Sequence, residues 1–171
     1  MEISALLHEQ FGRLPEHVRE AVDGLDAEML TATVVAGTNS IGWLVWHLTR
    51  VQDDHVAELI GRTPIWVTED LGPSFGVTSD PDNTGYGHTP EDAAAIRPVD
   101  ADLLLDYYTV AHARTDDLLS TVTADDLDRV VDARWNPPVT LGVRLTSILD
   151  DDLQHAGQAK YLRGLLERQR R

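Results

Sequence analysis

The segment Asp151-Asp152-Leu153-Gln154-His155-Ala156-Gly157-Gln158 decides how this chain is read. It lies within a long run whose apolar residues Leu145, Ile148, Leu149, Ala156, Ala159 and Leu162 recur at helical spacing. Residues four apart on a helix stand one turn apart on the same face, so Asp151 and His155 project together. A carboxylate and an imidazole placed in this way converge on one divalent cation, as i, i+4 ligand pairs do in helical metal sites. Buried without a partner, the two groups would cost several kcal/mol. An earlier helical run, Ser40-Ile41-Gly42-Trp43-Leu44-Val45-Trp46-His47-Leu48, offers a third ligand in His47. Three protein ligands leave a metal one open position, which is the catalytic rather than the structural arrangement.

Helix geometry by itself leaves two choices open. His47 and His55 are eight residues apart, roughly 12 Å along a helix axis, and cannot share one metal. His47 lies at the edge of its helix's apolar stripe and His55 nearer the middle. Asp151 and Asp152 both stand within reach of His155, and Asp152 is the closer to the centre of its stripe.

Gly42-Trp43-Leu44-Val45-Trp46-His47-Leu48-Thr49-Arg50, followed by Val51-Gln52-Asp53-Asp54-His55, resembles the second helix of the DinB-like metal-binding superfamily. The Asp151 to Gln158 segment resembles its fourth helix, where the pattern is ligand-x-x-x-His-x-Gly-Gln. The resemblance covers nearly the whole chain and is greatest to the small mycothiol-dependent S-transferases, relatives of mycothiol-dependent maleylpyruvate isomerase. It implies a DinB-like four-helix bundle with a metal at His47, Asp151 and His155, the pair on the last helix being spaced by four. Many relatives have His or Glu where this chain has Asp151. The resemblance also implies mycothiol as cosubstrate and transfer of its sulfur as the reaction. Asp152 and Asp54 are then candidates to accept the imidazole N–H groups, which would fix ring tautomer and basicity.

Composition sets the outer limits. A chain of 171 residues suits one domain, residues 1–171, with a real core. There is no Cys, hence no disulfide, no thiolate metal site and no Cys nucleophile. The first residues lack the basic start and apolar core of a signal peptide, and no apolar run reaches the roughly 20 residues of a membrane span. These features predict a cytoplasmic protein. A formal charge of −15 argues against nucleic acid, which proteins bind by neutralising phosphates with Lys and Arg.

Four long helical patterns predict an all-α fold, over residues 3–22, 40–60, 101–121 and 139–166. Thr38-Asn39-Ser40 supplies an N-cap cluster for the second, and Gly61 a C-cap. Short helical turns are expected at residues 26–30 and 124–127. Residues 62–98 are rich in Pro, Gly, Asp and Asn and form a long crossover between the second and third helices. Connections of that length in compact domains are usually functional or disordered. A faint internal echo places Ser40-Ile41-Gly42 against Thr140-Leu141-Gly142, with His55 and His155 in register, as two hairpins related by a pseudo-twofold would.

The remaining histidines, His8, His17, His88 and His112, read as structural. Trp43, Trp46, Trp66 and Trp135 read as core or loop-anchoring aromatics. Trp43 and the Tyr86 loop are the alternatives for a pocket wall. Arg134 and Arg144 are expected to pair with carboxylates. A metal held by two imidazoles and a carboxylate lowers the pKa of a bound thiol and holds the thiolate, the nucleophilic form. Since the chain has no Cys, that thiol comes from a cosubstrate. Zinc suits the ligand set, which also admits Ni, Mn, Co or Fe. The resemblance adds mycothiol and transfer, and so implies a metal-dependent thiol S-transferase that conjugates mycothiol to electrophiles in detoxification; the residues themselves supply only a mononuclear site with room for a ligand. The alternatives are a hydrolase that activates water on the same metal and a noncatalytic metal- or ligand-binding protein of the same fold. Its partners are small molecules, with an apolar bundle face available for a homodimer.

Overall fold

Helices dominate the structure, a computed structural model that describes residues 2–170. Met1 and Arg171, the ends of the expected domain, lie outside the described residues. The expected first helix is two, α1 (Ile3–Phe11) and α2 (Leu14–Val22). Pro15 explains the break. It has no N–H to continue the ladder, and its ring collides with the carbonyl four residues back, at Phe11; at the start of α2 both costs vanish.

The short α3 (Ala27–Thr31) is capped by the Asp26 carboxylate, which accepts from the Met29 N–H at 2.8 Å. The second long helix, α4 (Ile41–Ile60), opens on Ser40 and closes on Gly61 at φ +64°. Both caps agree with the sequence. Residues 62–98 are ordered around α5 (Ile65–Thr68), a 3-10 turn (Gly72–Phe75) and α6 (Pro90–Ala95). Next come α7 (Ala101–Leu119) and a further 3-10 turn (Ala124–Asp126), then α8 (Leu141–Gln169), which ends three residues beyond its predicted end. The helical patterns missed a small antiparallel ladder, β1 (Val130–Asp132) with β2 (Val139–Thr140), pairing Val130 with Thr140 and Asp132 with Val139. Strands of three and two residues are too short to show a period.

The bundle is a ring in which α2 packs on α7 and α8, and α4 packs on both of the same helices. Apolar residues from all four fill its centre, among them Leu14, Leu48, Leu104 and Ile148, none with exposed surface. Two contacts near opposite ends show that α4 and α8 run antiparallel: His47 with Asp151, and His55 with Arg144. By contrast α4 and α7 run parallel. The start of α4 backs onto Pro98, where a Cβ on Gly42 would come within 2.8 Å of the ring, and its far end is held by Arg114 donating to the Thr63 carbonyl at 3.1 Å. Parallel neighbours cannot be joined by a tight turn, so the connection must travel back along the whole bundle. This requirement is the physical reason for the long 62–98 segment.

Buried charges on α4 hold that segment in place. The Asp53 carboxylate accepts the backbone N–H groups of Ile65 and Trp66, at 2.9 and 3.0 Å, and the Tyr107 hydroxyl at 2.9 Å. Arg50, fully buried, donates to the carbonyls of Asn83 and Pro81, both at 3.1 Å, and lies over the Trp66 ring. The indole of Trp66 donates to the Asp80 carbonyl at 3.1 Å. Residues 80–88 are thereby strapped across the end of the bundle where His47 emerges.

Candidate metal centre

His47 comes from α4 and Asp151 and His155 from α8, and the fold brings all three together. One ligand atom from each lies within 4.8 Å of the other two. The Asp151 Oδ1 is 3.5 Å from His155 Nε2 and 3.9 Å from His47 Nε2. The imidazoles meet nearly edge to face, with ring centroids 4.9 Å apart. Trp43 stacks on the His47 ring at 4.6 Å and meets His155 edge-on at 6.0 Å, so it backs the site rather than lining its opening.

Hydrogen bonds fix the tautomers. His47 Nδ1 donates to the Thr84 carbonyl at 2.6 Å, and His155 Nδ1 donates to Gln158 Oε1 at 2.8 Å. With both protons on Nδ1, both Nε2 lone pairs point at Asp151, whose Oδ2 is buried without a hydrogen-bond partner. That donor set fits a divalent cation: two neutral imidazoles held by outer acceptors, and a carboxylate oxygen that nothing else satisfies. Burial pulls the His47 pKa down against the Thr84 bond. Burial also opposes protonation of His155, but its contacts with Asp151 and Gln158 outweigh this and raise its pKa.

The outer acceptors are not the expected ones. Asp152 accepts from neither imidazole. It turns fully into the core, where both oxygens lack partners and burial raises its pKa well above the carboxylate range. Asp54 sits beside Arg50 at 3.9 Å. Thr84 and Gln158 take their places. A backbone carbonyl such as that of Thr84 leaves no mark in a sequence, whereas Gln158, three residues after His155 on one helix face, was within sight.

His47 and Asp151 line a cavity of about 470 Å³, together with His55, Arg144, Asp54, Tyr86 and Trp135, and His155 stands behind them. The echo in the sequence survives at the helix starts, where Ser40 and Thr140 cap α4 and α8, but His55 does not join the triad. It accepts from Arg144 Nη1, 2.7 Å from its Nδ1. Arg144 also reaches Asp132 at 3.1 Å, and Arg134 donates to Asp132 and to Glu58, as expected of both arginines. His88 is structural: it accepts from the Trp43 indole at 3.1 Å and bonds Asn83 at 2.8 Å. Trp135, 64% exposed, is neither core nor anchor.

Burial and the Arg144 guanidinium pull the His55 pKa down to about 4. The unfolded chain takes up this proton near the ordinary value of about 6.5 and the folded chain resists it, so stability falls as pH drops through that window. His55→Gln removes the titration. Its urea midpoint should therefore vary less than the wild type's between about pH 6.5 and 4, and an identical pH profile in the two proteins would refute the assignment.

Gly85 supports the centre by having no side chain. Its φ is +92°, and a Cβ there would stand 2.6 Å from His47 Nδ1 and 3.0 Å from the Trp46 ring. Gly85→Ala must move either the strap or the imidazole, which breaks the Thr84 bond. Loss of such an outer contact typically weakens metal affinity about 10- to 100-fold. A chelator-competition titration of the variant, with helical content checked alongside, should show a loss of that size; wild-type affinity would mean that Thr84 does not tune His47.

The fold and this centre define a helical bundle with three converging metal-competent side chains, two of which line an open cavity. A family model described as Mycothiol-S-transferase matches residues 6–168, and the chain belongs to that family. A solved structure described as a conserved protein from Enterococcus faecalis is similar at 31% identity and a TM-score of 0.86, covering 95% of this chain and 96% of that one. No curated protein matches the chain. No helix among the described residues is long and apolar enough to cross a membrane.

Proposed function

We propose that the protein is a metal-dependent thiol S-transferase that conjugates mycothiol to electrophiles, in the service of detoxification. The observation that carries this reading is the convergence of two Nε2 lone pairs on a carboxylate with an unpartnered oxygen, at the wall of a cavity. A divalent cation held by His47, Asp151 and His155, zinc being the best match to that donor set, would lower the pKa of a coordinated thiol and keep the thiolate in place. The chain's own contribution is orientation and access. Thr84 and Gln158 hold the imidazoles in the ligating tautomer, and Trp43 packs behind His47 and sets its ring plane. The cavity leaves space on the open side for thiol and electrophile together.

Asp54 favours a second reading. Its carboxyl lines the same cavity, and burial raises its pKa, as suits a general base for water. Thiol dependence separates the two. Purified protein should hold about one divalent ion per chain and conjugate an electrophile at a rate that saturates with mycothiol. Turnover that ignores thiol concentration would replace the transferase by a hydrolase, and metal without turnover would leave a binding protein.

A further inference from the structure

We propose that Tyr86 and Trp135 form a polyol-binding subsite that seats the carbohydrate end of the thiol cosubstrate, an inference that rests on the mycothiol reading above. Tyr86 is 91% exposed and Trp135 64% exposed, yet both line the cavity that holds His47 and Asp151. They come from unrelated parts of the chain, the strap and the β1–β2 connection. Packing does not account for either.

Each ring is carried on firmly held backbone. Two residues before Tyr86, the Thr84 carbonyl is bonded to His47, and Gly85 lies against Trp46 and Trp43. Next to Trp135, Arg134 is bound to Asp132 three times, through its backbone N–H at 2.9 Å and its Nε and Nη2 at 2.8 Å each. Rigid, exposed aromatic faces at a cavity are binding surfaces that lose little conformational entropy on contact.

The chemistry of the occupant follows. Mycothiol carries its cysteinyl thiol on a glucosamine–inositol unit, whose rings have apolar C–H faces and hydroxyl rims. Aromatic faces cover the former. The latter need charged or polar partners, and Asp54, Ser147 and Arg144 line the same cavity. Arg144 is largely buried, and its Nε has no hydrogen-bond partner. A cysteinyl group at the triad would fill only part of about 470 Å³, leaving volume for the sugars.

The test compares mycothiol with N-acetylcysteine, which lacks the sugars, in wild type, Tyr86→Ala, Trp135→Ala and Trp135→Phe. The ratio of kcat/KM for mycothiol to that for N-acetylcysteine should fall about tenfold in each alanine variant, through KM for mycothiol, and Trp135→Phe should recover most of it. An unchanged ratio in both alanine variants overturns the subsite. A second readout needs no turnover: the glucosaminyl-inositol unit alone should alter the wild-type tryptophan fluorescence and should not alter that of Trp135→Ala. If the wild type fails to use mycothiol at all, the functional reading falls and this titration decides the subsite separately. A change lost in Trp135→Ala upholds the subsite; no change in the wild type removes it.

Discussion

His155→Ala should lose both bound cation and thiol-dependent conjugation while remaining folded. The variant removes one of three converging ligand atoms and leaves Asp151 and His47 without the geometry to hold an ion. Outer contacts of a metal site are worth about 10- to 100-fold in affinity, so a direct ligand should cost at least about a hundredfold. The His155 side chain is 19% exposed and the neighbouring core is carried by Ala156 and Ala159, so truncation opens little cavity. Metal content, far-UV circular dichroism and conjugation rate on the same samples check the prediction together. A variant that keeps its cation and its turnover would remove His155 from the centre.

The largest effect on stability is expected from Asp53→Ala. The carboxylate is 2% exposed and takes two backbone N–H groups and the Tyr107 hydroxyl, with Arg50 at 3.8 Å. Its removal strands three donors and takes one carboxylate from a fully buried guanidinium, which keeps its bonds to the Asn83 and Pro81 carbonyls. Breaking a buried charge pair from one side costs about 3–5 kcal/mol, against total domain stabilities of about 5–15 kcal/mol. The urea midpoint should fall accordingly, and Asp53→Asn, which keeps one acceptor oxygen, should recover part of the loss. A shift under about 1 kcal/mol would show that water takes over the stranded donors.

The main helices were legible from their apolar periods, and α4 also announces both its ends. Ser40 and Gly61 bracket α4 as capping chemistry predicts. The first two helices read as one because an apolar period continues across Pro15, and the stop it imposes is a backbone effect rather than a change of pattern. The 62–98 segment had the composition of a loop, yet it is ordered by Arg50 and Asp53, which lie in another part of the sequence.

The triad illustrates a different limit. Apolar periodicity pointed at least as strongly to His55 and Asp152, which sit nearer the centres of their stripes. The centre of a stripe faces the core, and Asp152 is indeed fully buried there. Asp151, at the edge of that stripe, is left facing the cavity; on α4 the stripe does not sort the histidines, since His47 is buried and His55 only partly so. Only the family pattern selected His47 and Asp151; helical geometry alone did not.

If the centre holds a cation, the bond between His47 and the Thr84 carbonyl makes cation affinity and strap order two ends of one equilibrium. Whatever quiets residues 80–88 would then tighten the hold on an ion, and by thermodynamic reciprocity an ion would quiet those residues to the same extent in free energy. Tyr86 stands on that strap, so an occupied centre would also stiffen the platform on which a cosubstrate settles. Loading the ion and receiving the thiol would then be cooperative without any change of shape.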